Sequence, residues 1–278
     1  MGKIARTWSL MGKSWRLLTE DKKILIYPLI SGLSCLAVTA TFVIPLFITG
    51  LWRPPAATAH AAQLVAYYGV LFLYYYCNYC VIVFFNAALV SYVVMRMNGD
   101  HPSIGDGFRA ALARLPLIAG WALIAATVGF LLKIIEDRSD KIGQIVAALL
   151  GGAWAMVTFL VIPVLVVEQK NPFGALKEST VLLKQTWGER IMMNFSFSTI
   201  SFLLMIPAIG IIVLAVMSKS LVILGICIVA VVMYILLLTL VQSALEAIFQ
   251  TAIYFYARNN RVPAGFDESV LQSAIAQR

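Results

Sequence analysis

Six long stretches of the chain carry almost no charged residue, and this feature restricts the fold more than any other. A helix needs about 20 apolar residues to cross a hydrocarbon core of about 30 Å. Read between charged side chains, the sequence predicts six membrane-spanning helices, near residues 24–52, 62–95, 115–132, 142–167, 191–218 and 220–257. We therefore expect an all-α, polytopic membrane bundle.

Composition supports this interpretation and excludes other classes. Of the 278 residues, 61% are apolar and 12% are charged, whereas soluble domains have roughly 45–50% and about 25%. A transmembrane β-barrel is excluded because no segments of about ten alternating residues occur. A cleaved signal peptide does not fit either, since 23 residues precede an uninterrupted run of 29 residues. The first span is expected to stay attached.

The distribution of basic residues predicts the orientation. Basic residues in short loops stay on the cytoplasmic side, and six spans place both termini on one side. That side holds 16 of the 21 Lys and Arg residues, so we expect both termini in the cytoplasm. The same asymmetry, with attraction to anionic lipid headgroups, accounts for the net charge of +8. Nucleic acid is therefore not an expected partner.

Amphipathic segments precede the odd-numbered spans. Residues 1–23 are predicted to form a helix in the headgroup region, anchored by the side chains Trp8, Lys13, Trp15 and Arg16. Similar segments, Ser103–Arg114 and Asn171–Trp187, precede the third and fifth spans. The unit of amphipathic helix, span, short turn and long span thus occurs three times, which predicts a threefold internal repeat. The domain organisation is then an interfacial helix (1–23), a bundle (24–258) and a cytoplasmic tail (259–278).

Small residues four positions apart indicate which spans are neighbours. The pairs are Ala122 with Ala126, Ala125 with Gly129, and Gly151 with Ala155. Small side chains permit close approach of helices in lipid. We therefore expect the third and fourth spans to pack together.

A polar stripe on the last span is the main candidate functional site. Gln242, Glu246 and Gln250 recur every four residues, and Asn86 and Asn194 lie on other spans. Intramembrane carboxylates are functional candidates, for example in a proton or cation path. The alternative is that Glu246, roughly 40 Å along the helix from Lys219, reaches the inner interface and joins a hydrogen-bond network. This distance favours the second interpretation.

Cys77 and Cys80 form a Cys-x-x-Cys sequence within the second span. Thiolates at this spacing can hold a soft metal or form a disulfide. Cys35 and Cys227 are single cysteines on other spans, and the two histidines are predicted on opposite sides of the membrane. Packed thiols are therefore favoured over a metal site. The sequence also lacks Gly-x-Ser-x-Gly, phosphate-loop and His-Glu-x-x-His motifs, so we expect neither an enzyme nor a cofactor.

Several motifs resemble a family of uncharacterised bacterial membrane proteins with six helices. They are residues 84–90 (FFNAALV), 99–108 (GDHPSIGDGF), 14–18 (SWRLL), 27–29 (YPL), 254–256 (YFY) and 262–267 (VPAGFD). Residues 167–168 and 171–179 are more loosely similar to the membrane domain that accompanies some glycerophosphodiester phosphodiesterases, whose catalytic domain is absent here. The resemblance implies a multi-pass protein of the bacterial inner membrane without an established reaction.

Two functions lead as hypotheses, and an intramembrane enzyme comes third. The first is a non-enzymatic inner-membrane protein that scaffolds or stabilises a membrane protein complex through its cytoplasmic side. Its partners would be membrane lipids and another membrane protein or further copies of this chain. The alternative is a transporter or channel for a lipid or small solute that uses the polar stripe of the last span.

Overall fold

A computed structural model describes residues 12, 14–49, 60–138 and 140–259, with the backbone alone at residues 185–201. All regular structure in these ranges is helical. It starts with α1 (14–20) and a 3₁₀ turn (Lys22–Leu25). The helices that follow are α2 (Ile26–Thr49), α3 (Ala61–Met97), α4 (Ile104–Leu112), α5 (Leu115–Arg138), α6 (Lys141–Val157), α7 (Val161–Glu168), α8 (Pro172–Met217) and α9 (Leu221–Asn259).

Several of these helices are long and apolar enough to cross a membrane. Within the described residues there are five such segments: Lys22–Ile48, Ala61–Met97, Leu115–Asp137, Lys141–Glu168 and Leu221–Arg258. Phe202–Met217, at the end of α8, is a shorter apolar stretch. For the described residues, the predictions of an all-helical fold and of apolar helices able to cross a membrane are confirmed, and the sixth span stays a prediction.

The fourth predicted span is not one continuous helix. It divides into α6 and α7, with a break at residues 158–160. Pro163 explains the break, because proline has no backbone N–H and its ring clashes with the carbonyl of the residue four positions earlier, here Phe159. In contrast, α8 is a single helix where the sequence predicted an amphipathic segment followed by a separate span.

The chain forms two compact units, of which the first comprises Ile26–Lys184. Helix α3 lies at its centre and contacts α2, α4, α5 and α7. Helices α5 and α6 also pack together, as their small residues predict, and the rings of Trp121 and Trp154 stack with centroids 5.9 Å apart. Gly129 instead faces α3, since a Cβ there would lie 2.7 Å from the hydroxyl oxygen of Tyr79.

The second unit combines residues up to Leu25 with those from Gln185 onward. The 3₁₀ turn contacts α9, and the hydroxyl of Tyr234 donates a 2.8 Å hydrogen bond to the carbonyl of Leu204. In α1 the buried side chains are Ser14 and Leu18, whereas Trp15 is 52% exposed. Arg16 is exposed and pairs with Glu20 at 2.9 Å. The other two predicted anchors, Trp8 and Lys13, lie outside the described residues.

Candidate functional site

The most densely buried part of the first unit is one end of it, which we call the packed end. It consists of Tyr27, residues 87–93 of α3, α4, α7 and residues 172–184 of α8. Every residue from 87 to 93 is buried. Apolar side chains of α7 are also buried, among them Val161, Val164 and Leu165. Contacts of α3 with α4 and α7 join these elements into one core.

Tyr27 connects three helices of the packed end. Its ring is fully buried, and the ring centroids of Tyr92 and Phe108 lie 5.6 and 5.1 Å away. Its hydroxyl donates a 2.8 Å hydrogen bond to the carbonyl of Ile104. A Cβ at Gly107 would overlap this hydroxyl. Helix α4 can therefore lie this close only because residue 107 is glycine.

The start of α4 is fixed by a capping box. The backbone N–H of Ser103 donates to Asp106 at 2.8 Å, and the Ser103 hydroxyl donates to the same carboxylate at 2.7 Å. These hydrogen bonds from Ser103 lower the pKa of Asp106 below its ordinary value. Arg109 adds an ion pair at 3.3 Å. The carboxylate thus stabilises the helix terminus.

Ser179 of α8 repairs the break between α6 and α7. Its hydroxyl donates to the carbonyl of Val157 at 2.6 Å and accepts from the backbone N–H of Leu160 at 3.1 Å. The side chain is completely buried. Both backbone groups lose their helical partners at the break, and a buried polar group without a partner is costly. A single hydroxyl therefore satisfies both ends of the interruption.

Lys170 links α7 to α8 through two carboxylates. Its amino group lies 2.8 Å from Glu168 and 2.7 Å from Glu178, both of which are largely covered. Hydrogen bonds to Glu168 and then to Glu178 raise the pKa of Lys170 above its ordinary value. Gln169, between Glu168 and Lys170, has a left-handed conformation with φ of 51°. The charges of this connection are engaged in holding the two helices together.

The predicted polar stripe is present on α9. The side-chain amide of Gln250 donates to Glu246 at 3.4 Å, and both Gln242 and Glu246 have further interactions. Glu246 is exposed. Asn86 is half-buried on α3 in the other unit, and the side chain of Asn194 lies outside the described residues. The structure thus joins Glu246 to Gln250 and does not describe a network that includes either asparagine.

All four cysteines have free thiols. Cys77 and Cys80 are half-buried on adjacent turns of α3, and Cys80 is hydrogen-bonded to the hydroxyl of Tyr76. Within the ranges that the structure describes, no group of three or more His, Cys, Asp or Glu side chains is arranged to hold a metal ion.

Sequence reasoning found part of the packed end and missed the rest. Tyr27, Ala88, Gly107 and Phe108 lie in the motifs that carried the family resemblance, and the structure brings them together. The roles of Ser179 and Lys170 were not predicted. Pro163 within an apolar span was the available signal for the break, although nothing in the sequence identifies the hydroxyl that satisfies it.

A family model matches most of the chain. The model of a family of unknown function, DUF6159, matches residues 65–265, which is well over half of the chain. The matched segment includes α4 to α9 and most of α3. No curated protein matches the sequence.

Proposed function

The chain belongs to the family of unknown function DUF6159, and we propose that it is a non-enzymatic membrane protein that scaffolds or stabilises a membrane protein complex through the surface of its packed end. The observation that carries this proposal is that three polar side chains of the packed end make structural contacts. Asp106 caps a helix, Ser179 repairs a backbone break and Lys170 joins two helices. Their chemistry stabilises a rigid layer.

The outer surface of the packed end is suited to a protein partner. Phe173 is 72% exposed on the first turn of α8, and Lys177 is exposed one turn later. Arg109 projects from α4 with most of its side chain exposed. Aromatic residues and arginine are enriched in protein interfaces. A rigid layer that presents such side chains needs little reorganisation on binding, which favours affinity.

The proposal includes a topology. We place six spans in a bacterial inner membrane, with both termini and the packed end in the cytoplasm, and retain the threefold repeat as its organisation. Single-cysteine variants at positions 57 and 268, labelled with a membrane-impermeant maleimide in intact spheroplasts, test this arrangement. We expect labelling at position 57 alone. Labelling at 268 without labelling at 57 would reverse the orientation.

Affinity purification in mild detergent, followed by mass spectrometry, tests the scaffold function. The informative variant combines Phe173→Ala with Lys177→Glu. A matched control, Ile142→Ala with Lys141→Glu, makes the same kinds of change at the exposed start of α6. We expect a stoichiometric partner that the control retains and the packed-end variant loses, with unchanged thermal unfolding of the chain itself. Purification of the wild-type chain alone would contradict the proposal.

A transporter or channel for a lipid or small solute is the second candidate. It is favoured by the contact between Gln250 and Glu246 on a helix long enough to span a membrane. Polar side chains on one face of a spanning helix are typical of solute pathways. Reconstitution into proteoliposomes tests it directly, because a scaffold gives no flux above that of empty vesicles.

A further inference from the structure

Arg114 is a cation near the membrane boundary that lacks a counter-ion within the described residues. It lies in the elbow between α4 and α5, immediately before the apolar segment that begins at Leu115. The side chain is half-buried. One amino group, Nη1, donates to the backbone carbonyl of Ala110 at 2.8 Å, and the Nε–H is buried without an acceptor. No described carboxylate lies within ion-pair distance of it.

An anion from outside the protein would stabilise this half-buried charge by pairing with it. Charged groups removed from water are normally paired, because the desolvation cost is large. Burial lowers the pKa of Arg114, yet arginine stays protonated at physiological pH. The guanidinium group has five N–H donors, and those of the two Nη atoms that are not used by Ala110 remain for an external acceptor.

We propose that Arg114 binds a phosphate group at the membrane boundary, and that this phosphate belongs to an anionic phospholipid. The flanking side chains support the lipid as the source. Leu112, two residues before the arginine, is 57% exposed, and Leu115, the next residue after it, is 47% exposed. Apolar side chains beside a guanidinium match the two parts of a phospholipid, its acyl chains and its headgroup. A planar guanidinium also matches phosphate geometry better than an ammonium group does.

Arg109, within α4, provides a matched control. It lies five residues earlier, its side chain is mostly exposed, and it already pairs with Asp106 at 3.3 Å. Removing Arg109 changes the net charge by the same amount as removing Arg114. A lipid held by general attraction to basic residues would respond equally to both changes. A lipid held by one half-buried guanidinium responds only to Arg114.

Native mass spectrometry of the full chain, released from nanodiscs of phosphatidylcholine with phosphatidylglycerol, measures the bound lipid. We expect the wild type to retain phosphatidylglycerol in preference to phosphatidylcholine. Arg114→Gln should lower the occupancy roughly tenfold, the size expected for one charge-assisted hydrogen-bonded contact. Arg114→Lys should retain an intermediate occupancy, and Arg109→Gln should match the wild type. Arg114→Lys also serves as the test variant if Arg114→Gln does not fold.

Three outcomes decide against the proposal. Equal loss in Arg109→Gln would show general electrostatic attraction, and a wild type without preference for phosphatidylglycerol would show no lipid site. If Arg114→Gln lowers thermal stability while lipid occupancy stays at the wild-type level, Arg114 only caps the end of α4. Binding of millimolar inorganic phosphate, measured by the same method, separates free phosphate from a lipid as the ligand. A wild type without lipid preference that binds inorganic phosphate, and loses it in Arg114→Gln, would keep the phosphate site and reject the lipid as its ligand.

Discussion

The two halves of α3 have similar apolar content and very different surroundings. In the first half, Val65 is 72% exposed, whereas Val90 in the second half is 1% exposed. Hydropathy treats both as parts of one span, because it measures the preference of a side chain for leaving water and not the material that replaces the water. Lipid can cover the first half, and protein covers the second. The comparison distinguishes a lipid-facing part of the unit from a protein core of similar apolar content.

The largest difference is expected between two glycine substitutions. Gly107 of α4 packs against the second half of α3, and Gly69 lies in the first half. Gly107→Ala places a Cβ 2.8 Å from the carbonyl oxygen of Ala88 and in overlap with the Tyr27 hydroxyl. Overpacking typically costs about 1–3 kcal/mol, so we expect a large fall in thermal stability in detergent. Gly69→Ala, in the exposed half of α3, meets no neighbouring atom within 4 Å. It should be neutral or slightly stabilising, since alanine favours helix.

Equal tolerance of alanine at positions 69 and 107 would mean that α4 does not lie against α3 as described. A double change that adds Tyr27→Phe to Gly107→Ala sharpens the test. Loss of the Tyr27 hydroxyl removes the closest of the three contacts under 3.0 Å that a Cβ at residue 107 would make, so part of the stability should return.

Removal of the Ser179 hydroxyl should have the next largest effect. Ser179→Ala leaves the carbonyl of Val157 and the N–H of Leu160 without their partner in a buried site. One unsatisfied buried group costs about 1–3 kcal/mol, and we expect a loss of about 2 kcal/mol in the free energy of unfolding. Thr180→Ala is the control, because the Thr180 hydroxyl bonds only to the Leu176 carbonyl of its own helix. Similar losses in both variants would refute the bridging role.

A smaller and pH-dependent effect is expected at Lys170. Its raised pKa means that its ion pairs stabilise the fold fully below the pKa of unfolded lysine, about 10.4. This contribution is lost as the pH rises through the higher pKa of the folded state. Lys170→Met should lower stability at pH 8 by up to about 1 kcal/mol, the usual range for partly exposed pairs, and should remove this alkaline loss. Thermal unfolding from pH 8 to 11.5 measures both effects.

Lys177→Met is the control for Lys170. Lys177 is exposed on the same helix and is not among the described ion pairs. It should leave the alkaline decrease of the wild type unchanged. If the alkaline loss of stability persists in Lys170→Met, another titrating group causes it.

Charge-free apolar runs were sufficient to predict the helical class and the approximate bounds of five spans, because crossing a bilayer imposes a length and a composition. They could not predict at which point along α3 the exposed part of the helix ends and the part buried in protein begins. They also merged α6 and α7, since a proline within a span can be absorbed by neighbouring helices. Arg114 was counted only as one basic residue among many. Its lack of a counter-ion depends on tertiary packing, which no local pattern encodes.

The smallest effect is expected at Glu246, where the scaffold and transport hypotheses make opposite demands. This exposed carboxylate accepts a 3.4 Å contact from Gln250 on a spanning helix. If it serves only hydrogen bonding, Glu246→Gln preserves the shape and an acceptor oxygen, so stability and partner recovery should stay within error of the wild type. If it carries protons or cations, the charge itself is needed and the neutral amide should abolish flux. The measurement is dye-detected proton uptake into proteoliposomes under a potassium diffusion potential, with empty vesicles as the baseline. We expect neither the wild type nor Glu246→Gln to exceed that baseline. The charged groups of the packed end serve a structural role, and we expect the same of Glu246. Uptake by the wild type that Glu246→Gln eliminates, without loss of thermal stability, would make transport the better explanation.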